Sequence, residues 1–217
     1  MQKLSQQRRE LLEEAVSRYH ATLPGSPAES LLAQRGLDSF DGLSKFKFGY
    51  VDDPLPEHEN HRGKLAIPYL RWHPRYGWTC VSMRFRAVKP EHKPKYATMA
   101  GDQPRLFNTP ALNLSSPDVG ITEGEIDAAT AHLAGLPTVG IPGANSWKPH
   151  WAELFRGYRT VFVFTDGDDP GEKLGRQLGK QLPNARVIPC PPGEDVNSIL
   201  TSQGVDALRS LWGGEQP

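Results

Sequence analysis

Val161-Phe162-Val163-Phe164-Thr165-Asp166-Gly167-Asp168-Asp169-Pro170 is the stretch on which the fold of this 217-residue chain turns. Five apolar or β-branched residues run straight into two acids separated by one glycine. A short unbroken apolar run is the pattern of a parallel strand covered on both faces. Asp169 reads as a helix N-cap and Pro170 as the first helical residue, giving a helix over 170–182. The acid pair therefore sits at the carboxyl end of a buried strand, where open α/β sheets place their ligands. Gly120-Ile121-Thr122-Glu123-Gly124-Glu125 repeats the arrangement upstream: a short strand, an acid at its end, a glycine, then a helix over 125–134. An Asp-Gly-Asp triplet alone also suits a turn, but the second acid-glycine strand end favours a metal site. Glu123, Asp166 and Asp168 could converge on one hard cation, and magnesium or manganese suits such oxygen donors.

Between and after these motifs the alternation continues. Thr138-Val139-Gly140-Ile141 is a strand, and Arg186 to Cys190 another. In the helix after the acid pair, Leu174, Leu178 and Leu182 form one stripe, while Gly171, Gly175 and Gly179 form a second that permits close packing. Asp195 precedes a last helix containing Val196, Ile199 and Leu200. It is either an outer metal ligand or a plain helix cap. Trp147 and Trp151 are read as packing residues rather than base-stacking ones.

The first half has a different rhythm. Leu4, Leu11, Leu12, Ala15, Val16 and Tyr19 give a helix over 3–20, ended by Pro24-Gly25. A short helix from Ser26-Pro27 carries Leu31, Leu32 and Leu37 and closes at Gly36. Two strands follow, Lys64–Leu70 and Trp78–Arg86, joined by a turn at Pro74 to Gly77. Period two in the second strand puts Thr79, Val81, Met83 and Phe85 on a core face. It turns Cys80, Ser82, Arg84 and Arg86 outward.

Charge is balanced overall, 25 basic against 25 acidic residues, but unevenly spread. Residues 60–105 hold ten Lys or Arg against Glu91 and Asp102, a net of +8, whereas 113–217 hold eight basic and thirteen acidic residues, a net of −5. A basic segment beside an acidic, metal-suited one fits an enzyme that grips a polyanion. Cys80 and Cys190 form no disulfide framework and no Cys-x-x-Cys pair, which excludes a zinc ribbon and fits a reducing cytoplasm. His58 and His61 read as surface histidines, so no zinc is expected. No secretory segment and no run of 18 apolar residues is present, so no membrane association is expected.

The acid-glycine strand ends resemble the Toprim domain of DnaG-type primases, type IA topoisomerases and some nucleases. The first half resembles the amino-terminal part of the DnaG-type RNA polymerase core. That likeness is carried by Tyr19-His20, Leu31-Leu32-Ala33-Gln34-Arg35-Gly36-Leu37, Phe48-Gly49-Tyr50, Gly63-Lys64-Leu65-Ala66-Ile67-Pro68 and Pro94-Lys95-Tyr96. Pro142 to Ser146 is similar to the matching loop of phage and mitochondrial primase-helicases. The resemblance implies an α/β Toprim unit over 113–217, with a Rossmann-like, mostly parallel sheet flanked by helices. A smaller mixed α+β template-binding subdomain over 1–112 precedes it. It implies a DNA primase that joins ribonucleoside triphosphates on single-stranded DNA by metal-dependent nucleotidyl transfer. Glu123, Asp166 and Asp168 would be its catalytic acids, and these with Asp195 the candidate ligands of Mg2+ or Mn2+. Glu123 would act as metal ligand or as base. Arg62, Arg84, Arg86, Lys95 and Tyr96 are the candidates for nucleic-acid or nucleotide contact. Neither the zinc-binding nor the helicase-binding domain of the family is matched. Initiation is therefore expected to need a replicative helicase or a separate zinc-domain protein, in a bacterial or phage-infected host cytoplasm. Two other classes use the same features: a metal-dependent Toprim nuclease, and a non-catalytic single-stranded-DNA-binding replication factor.

Overall fold

The computed structural model describes residues 5–89 and 91–213. Leu4, expected in the first helix, lies outside them. The chain divides into two compact units, one holding the residues up to Gln34 with Asp41–Gln103, the other Arg35–Phe40 with Pro104 onward. The expected division at 112/113 falls inside the second unit, because Leu106 and Ala111 already belong to that unit's core.

In the first unit, helix α1 (Gln6–Ala21) is capped by the Ser5 hydroxyl, which accepts the Arg8 N–H at 3.1 Å. Helix α2 (Pro27–Gln34) follows. Strands β1 (Gly49–Tyr50), β2 (Lys64–His73), β3 (Gly77–Ala87) and β4 (Tyr96–Thr98) form an antiparallel sheet in that order. Leu12, Ala15 and Tyr19 of α1 pack on Ala66, Cys80, Met83 and Phe85.

That list corrects the expected faces of β3. Leu70 pairs with Cys80 but Tyr69 with Ser82, so Val81 is an extra residue without a partner opposite. Such a bulge breaks the period-two alternation, and Cys80 joins Met83 and Phe85 on the helix side. Ser82, Arg84 and Arg86 take the other side, where Arg86 is buried and Arg84 half-buried, so the face does not leave both guanidiniums open.

His58 and His61 are also not surface histidines. His58 is fully enclosed and His61 nearly so, its ring stacked on Phe85 at 3.8 Å. The Tyr19 hydroxyl accepts the Leu55 N–H at 2.9 Å and shares a hydrogen bond with His58 Nδ1 at 2.8 Å. The other ring nitrogen of His58, Nε2, lies 3.3 Å from Met99 Sδ. Both rings fill the core, and burial lowers the pKa of each.

In the second unit β5 (Asp118–Thr122), β6 (Thr138–Gly140), β7 (Thr160–Thr165) and β8 (Ala185–Pro189) form a wholly parallel sheet in the order β6-β5-β7-β8. Helices α3 (Glu125–Leu133), α4 (Asp169–Gln181) and α5 (Val196–Gly213, broken by a kink at Gly204) cover it. The apolar run of β7 explains the three layers. Val161 and Val163 face Leu174 and Leu178 of α4 together with Trp147, Trp151 and Phe155. Phe162 and Phe164 face the other way, into Ala131 of α3 and Ile199, Leu200 and Leu208 of α5. The tryptophans are core residues, as expected, though Trp151 lies on a 3-10 turn rather than an α-helix. The glycine stripe of α4 lets the helix close on the sheet: a Cβ at Gly175 would meet Val187 at 3.0 Å and Thr165 at 3.2 Å.

Arg35–Phe40 is a six-residue excursion from the first unit's sequence into the second unit. Phe40 packs against the α3–α5 core cluster. The Arg35 guanidinium donates to Asn197 Oδ1 at 3.1 Å, and Asn197 Nδ2 donates to the Arg35 carbonyl at 2.8 Å.

Candidate active site

Glu123 follows β5 and Asp166 follows β7, two neighbouring strands of the parallel sheet. Glu123 is buried, and its Oε1 accepts the Asp166 N–H at 3.0 Å. The first turn of α4 passes so close that a Cβ at Gly171 would lie 2.3 Å from the Asp166 carbonyl and 2.7 Å from Glu123 Oε1. Asp168, not the expected Asp169, caps α4: its Oδ1 accepts the Gly171 N–H at 2.8 Å, and Pro170 sits one place further in. One oxygen of Asp168 is thereby committed to the helix.

Gly167, between the two acids, touches the loop before α5. Its N–H donates to the Glu194 carbonyl and its carbonyl accepts from Gly193, each at 2.9 Å. A Cβ at Gly167 would fall 1.9 Å from the Pro191 carbonyl, so no side chain is accommodated between Asp166 and Asp168. Across this contact Asp195 caps α5, accepting the Ser198 N–H at 2.6 Å while its own N–H donates to the Ser198 hydroxyl at 2.8 Å. The helix-cap reading of Asp195 holds, and its carboxylate also faces Asp127.

Asp127 is the acid that sequence reasoning missed. It lies in the first turn of α3, buried, and its Oδ1 accepts the Asn197 N–H at 3.0 Å. The available signal was its position one helical turn after Glu123. Burial, then the Asp195 and Asp166 carboxylates, push its pKa up against the Asn197 amide and Arg35. Burial likewise pushes Glu123 up to about 7, helped by Asp168 and Asp127 and opposed by the Asp166 amide.

This is a nest of like charge that a divalent cation would offset. All its donors are oxygens, and Glu194 Oε2 is buried without a hydrogen-bond partner. Among the described residues no three His, Cys, Asp or Glu side chains form a ready-made metal cage. Magnesium commonly keeps several waters and takes one or two carboxylates, so the donor set fits an ion held partly through water.

In the first unit the basic candidates gather on one ring. Arg84, Arg86 and Lys95 place their cationic groups 4.9, 5.4 and 5.9 Å from the centroid of Tyr96. Arg86 also donates to the Tyr96 hydroxyl at 3.1 Å. Arg62 is exposed instead, with its guanidinium on the Asp52 carbonyl and the Asp53 carboxylate.

No protein-family model matches the chain. Its fold is that of the DnaG-type primase catalytic core. The zinc-binding and RNA polymerase domains of Aquifex aeolicus primase superpose with a TM-score of 0.75 at 19% identity, over 96% of this chain and 61% of that one. The RNA polymerase domain of Mycobacterium tuberculosis DnaG gives 0.74 at 20% identity, over 98% and 85%. A DnaG catalytic domain solved bound to single-stranded DNA gives 0.74 at 18% identity, over 94% and 77%. The chain belongs to the family of the Gene 57 protein of Mycobacterium phage D29, with 59% identity over 148 residues, 68% of this chain and 97% of that protein. The DNA primase of Pseudomonas aeruginosa is 28% identical over 113 residues, 48% of this chain and 17% of the primase. The DNA primase DnaG of Caldivirga maquilingensis is 32% identical over 97 residues, 44% and 22%. The chain thus spans about a fifth of the length of these primases. No helix among the described residues is long and apolar enough to cross a membrane.

Proposed function

We propose that the chain is a DNA primase, which joins ribonucleotides on a single-stranded DNA template by nucleotidyl transfer. The observation that carries this reading is the hydrogen bond from the Asp166 amide to buried Glu123. It fixes acids from two strand ends beside Asp127, Asp168 and Asp195, on a fold shared with primase catalytic cores. In such a transfer a 3′-hydroxyl attacks an α-phosphate and pyrophosphate leaves, which requires positioning and neutralisation of phosphate charge. Asp166, Asp168 and Asp127 are the residues assigned to hold magnesium or manganese, with Asp195 outside them. A bound ion supplies the charge neutralisation. Glu123 is assigned a proton-accepting or ligand role, and its anchoring to the Asp166 amide holds its second oxygen in a defined place. Arg84 and Lys95 are assigned to the phosphates of template or nucleotide, with buried Arg86 positioning Tyr96 between them through its hydrogen bond and Arg62 at the margin.

The nuclease reading shares the acids but gives no account of a first unit built as in primase cores, and the sequence relatives named above favour it less. The experiment is direct: labelled ribonucleotides, an unprimed single-stranded template, and magnesium or manganese. Template-dependent oligoribonucleotides support the proposal. Template degradation, or binding without turnover, overturns it in favour of a nuclease or a binding factor.

A further inference from the structure

The tip of the β2–β3 hairpin has no part in the site described above, and its side chains are unusual for a solvated turn. Trp72 and Trp78 face each other across the hairpin, edge to face at 5.4 Å, yet they are 58% and 52% exposed. Tyr76, 45% exposed, forms the end of the turn. The guanidiniums of Arg9 and Arg75 lie 5.0 and 5.4 Å from its ring centroid, and His73 stacks on it at 4.7 Å. Residues 64–79 contain Lys64, Arg71 and Arg75 and no acid.

A cross-strand tryptophan pair can serve simply to hold a hairpin closed. That role does not require the tip to carry Arg9 and Arg75 against an exposed ring. Exposed aromatic faces set among arginines are instead the chemistry of single-strand binding, in which bases stack on rings and phosphates meet guanidiniums. We propose that the hairpin tip is a binding site for single-stranded DNA, with Trp72 and Trp78 as the base-stacking platform and Arg75 as a phosphate contact. The site reads no sequence, because every base has a stacking face.

The test is equilibrium binding of full-length protein to labelled oligo(dT), beside an abasic deoxyribose-phosphate strand of equal length. Neither nucleotide nor metal is present, so the outcome is independent of the primase reading. Trp72→Ala and Trp78→Ala are each expected to weaken oligo(dT) binding about tenfold while leaving the abasic strand unaffected. Trp72→Phe, which keeps a ring, should restore most of the affinity. Arg75→Ala should weaken both strands. Unchanged oligo(dT) affinity in the tryptophan variants overturns the proposal. Equal losses on both strands with a lowered melting temperature also overturn it, since they would assign the pair to hairpin folding. So does concentration-dependent dimerisation that Trp72→Ala abolishes without changing DNA affinity.

Discussion

Glu123 at the end of β5 accepts the backbone N–H of Asp166 at the end of β7, at 3.0 Å and across 43 residues of sequence. A glutamine can keep that acceptor but carries no charge and no useful basicity. Glu123→Gln should therefore stay folded and bind single-stranded DNA like the wild type. Its primer synthesis should fall by at least about 10²-fold. Near wild-type synthesis would reduce Glu123 to a structural link between the two strands.

Asp168 combines two duties that substitution can separate. Asparagine caps a helix about as well as aspartate, whereas alanine loses about 1 kcal/mol. Asp168→Asn should thus keep the wild-type melting temperature and lose manganese affinity, while Asp168→Ala loses both. Asp166→Ala should also bind manganese weakly. Titration of the three proteins, with thermal melts alongside, checks this, and wild-type metal affinity in all of them would remove the assignment.

Gly167→Ala places a methyl group against the backbone of Pro191 and Gly193 rather than against a flexible side chain. The expected cost is about 3 kcal/mol, the upper end of what overpacking usually costs, read by denaturant unfolding. A variant as stable as the wild type would mean that the 191–195 loop yields easily.

Arg84→Ala and Lys95→Ala should each lower the salt slope of single-stranded DNA binding by roughly 0.7. Arg156→Ala is the control, an exposed arginine paired with Glu153 in the second unit. Equal slopes in all three would place the phosphates elsewhere than beside Tyr96.

The buried histidines make stability depend on pH. Burial, then Lys64 and His58, hold His61 down to about 4, and burial also lowers His58, helped by Arg8 and opposed by Glu57 and Glu59. As pH falls from about 6.5 towards 4 the unfolded chain takes up protons that the native rings refuse, so stability is lost in that window and is complete above it. His61→Phe, which keeps a ring on Phe85, should remove on the order of 1 kcal/mol of that loss, about 2–4 °C of melting temperature at pH 5. Identical pH profiles would show that His61 does not titrate there.

The parallel unit was legible because β7 writes its burial directly: valines to one layer, phenylalanines to the other, acids at the end. The glycine stripe of α4 was equally plain, since only close packing calls for it. The bulge at Val81 was not legible. One inserted residue leaves no mark in composition, yet it moves Cys80 to the helix side. Asp127 was missed for a different reason. An acid in the first turn of a helix is ordinarily a solvated partner of the helix dipole. Only Asn197, 70 residues on, reveals that this one is buried and held. Asp169 reads as the cap because Pro170 suits the first helical position, but Pro170 is equally accommodated one place further in, and the helix starts a residue earlier with Asp168 as its cap.

The excursion Arg35–Phe40 bears on how the protein is made. These six residues leave the ribosome long before the helices they pack against, so the second unit cannot complete its core until α5 has been synthesised. A gene fragment opening at Pro104 would encode that unit without Arg35 and Phe40. Asn197 would then lose both its hydrogen bonds to Arg35, each worth about 1 kcal/mol net, before the missing Phe40 packing is counted. The unit is contiguous in space and interrupted in the gene, and a split that respects the fold must carry both pieces.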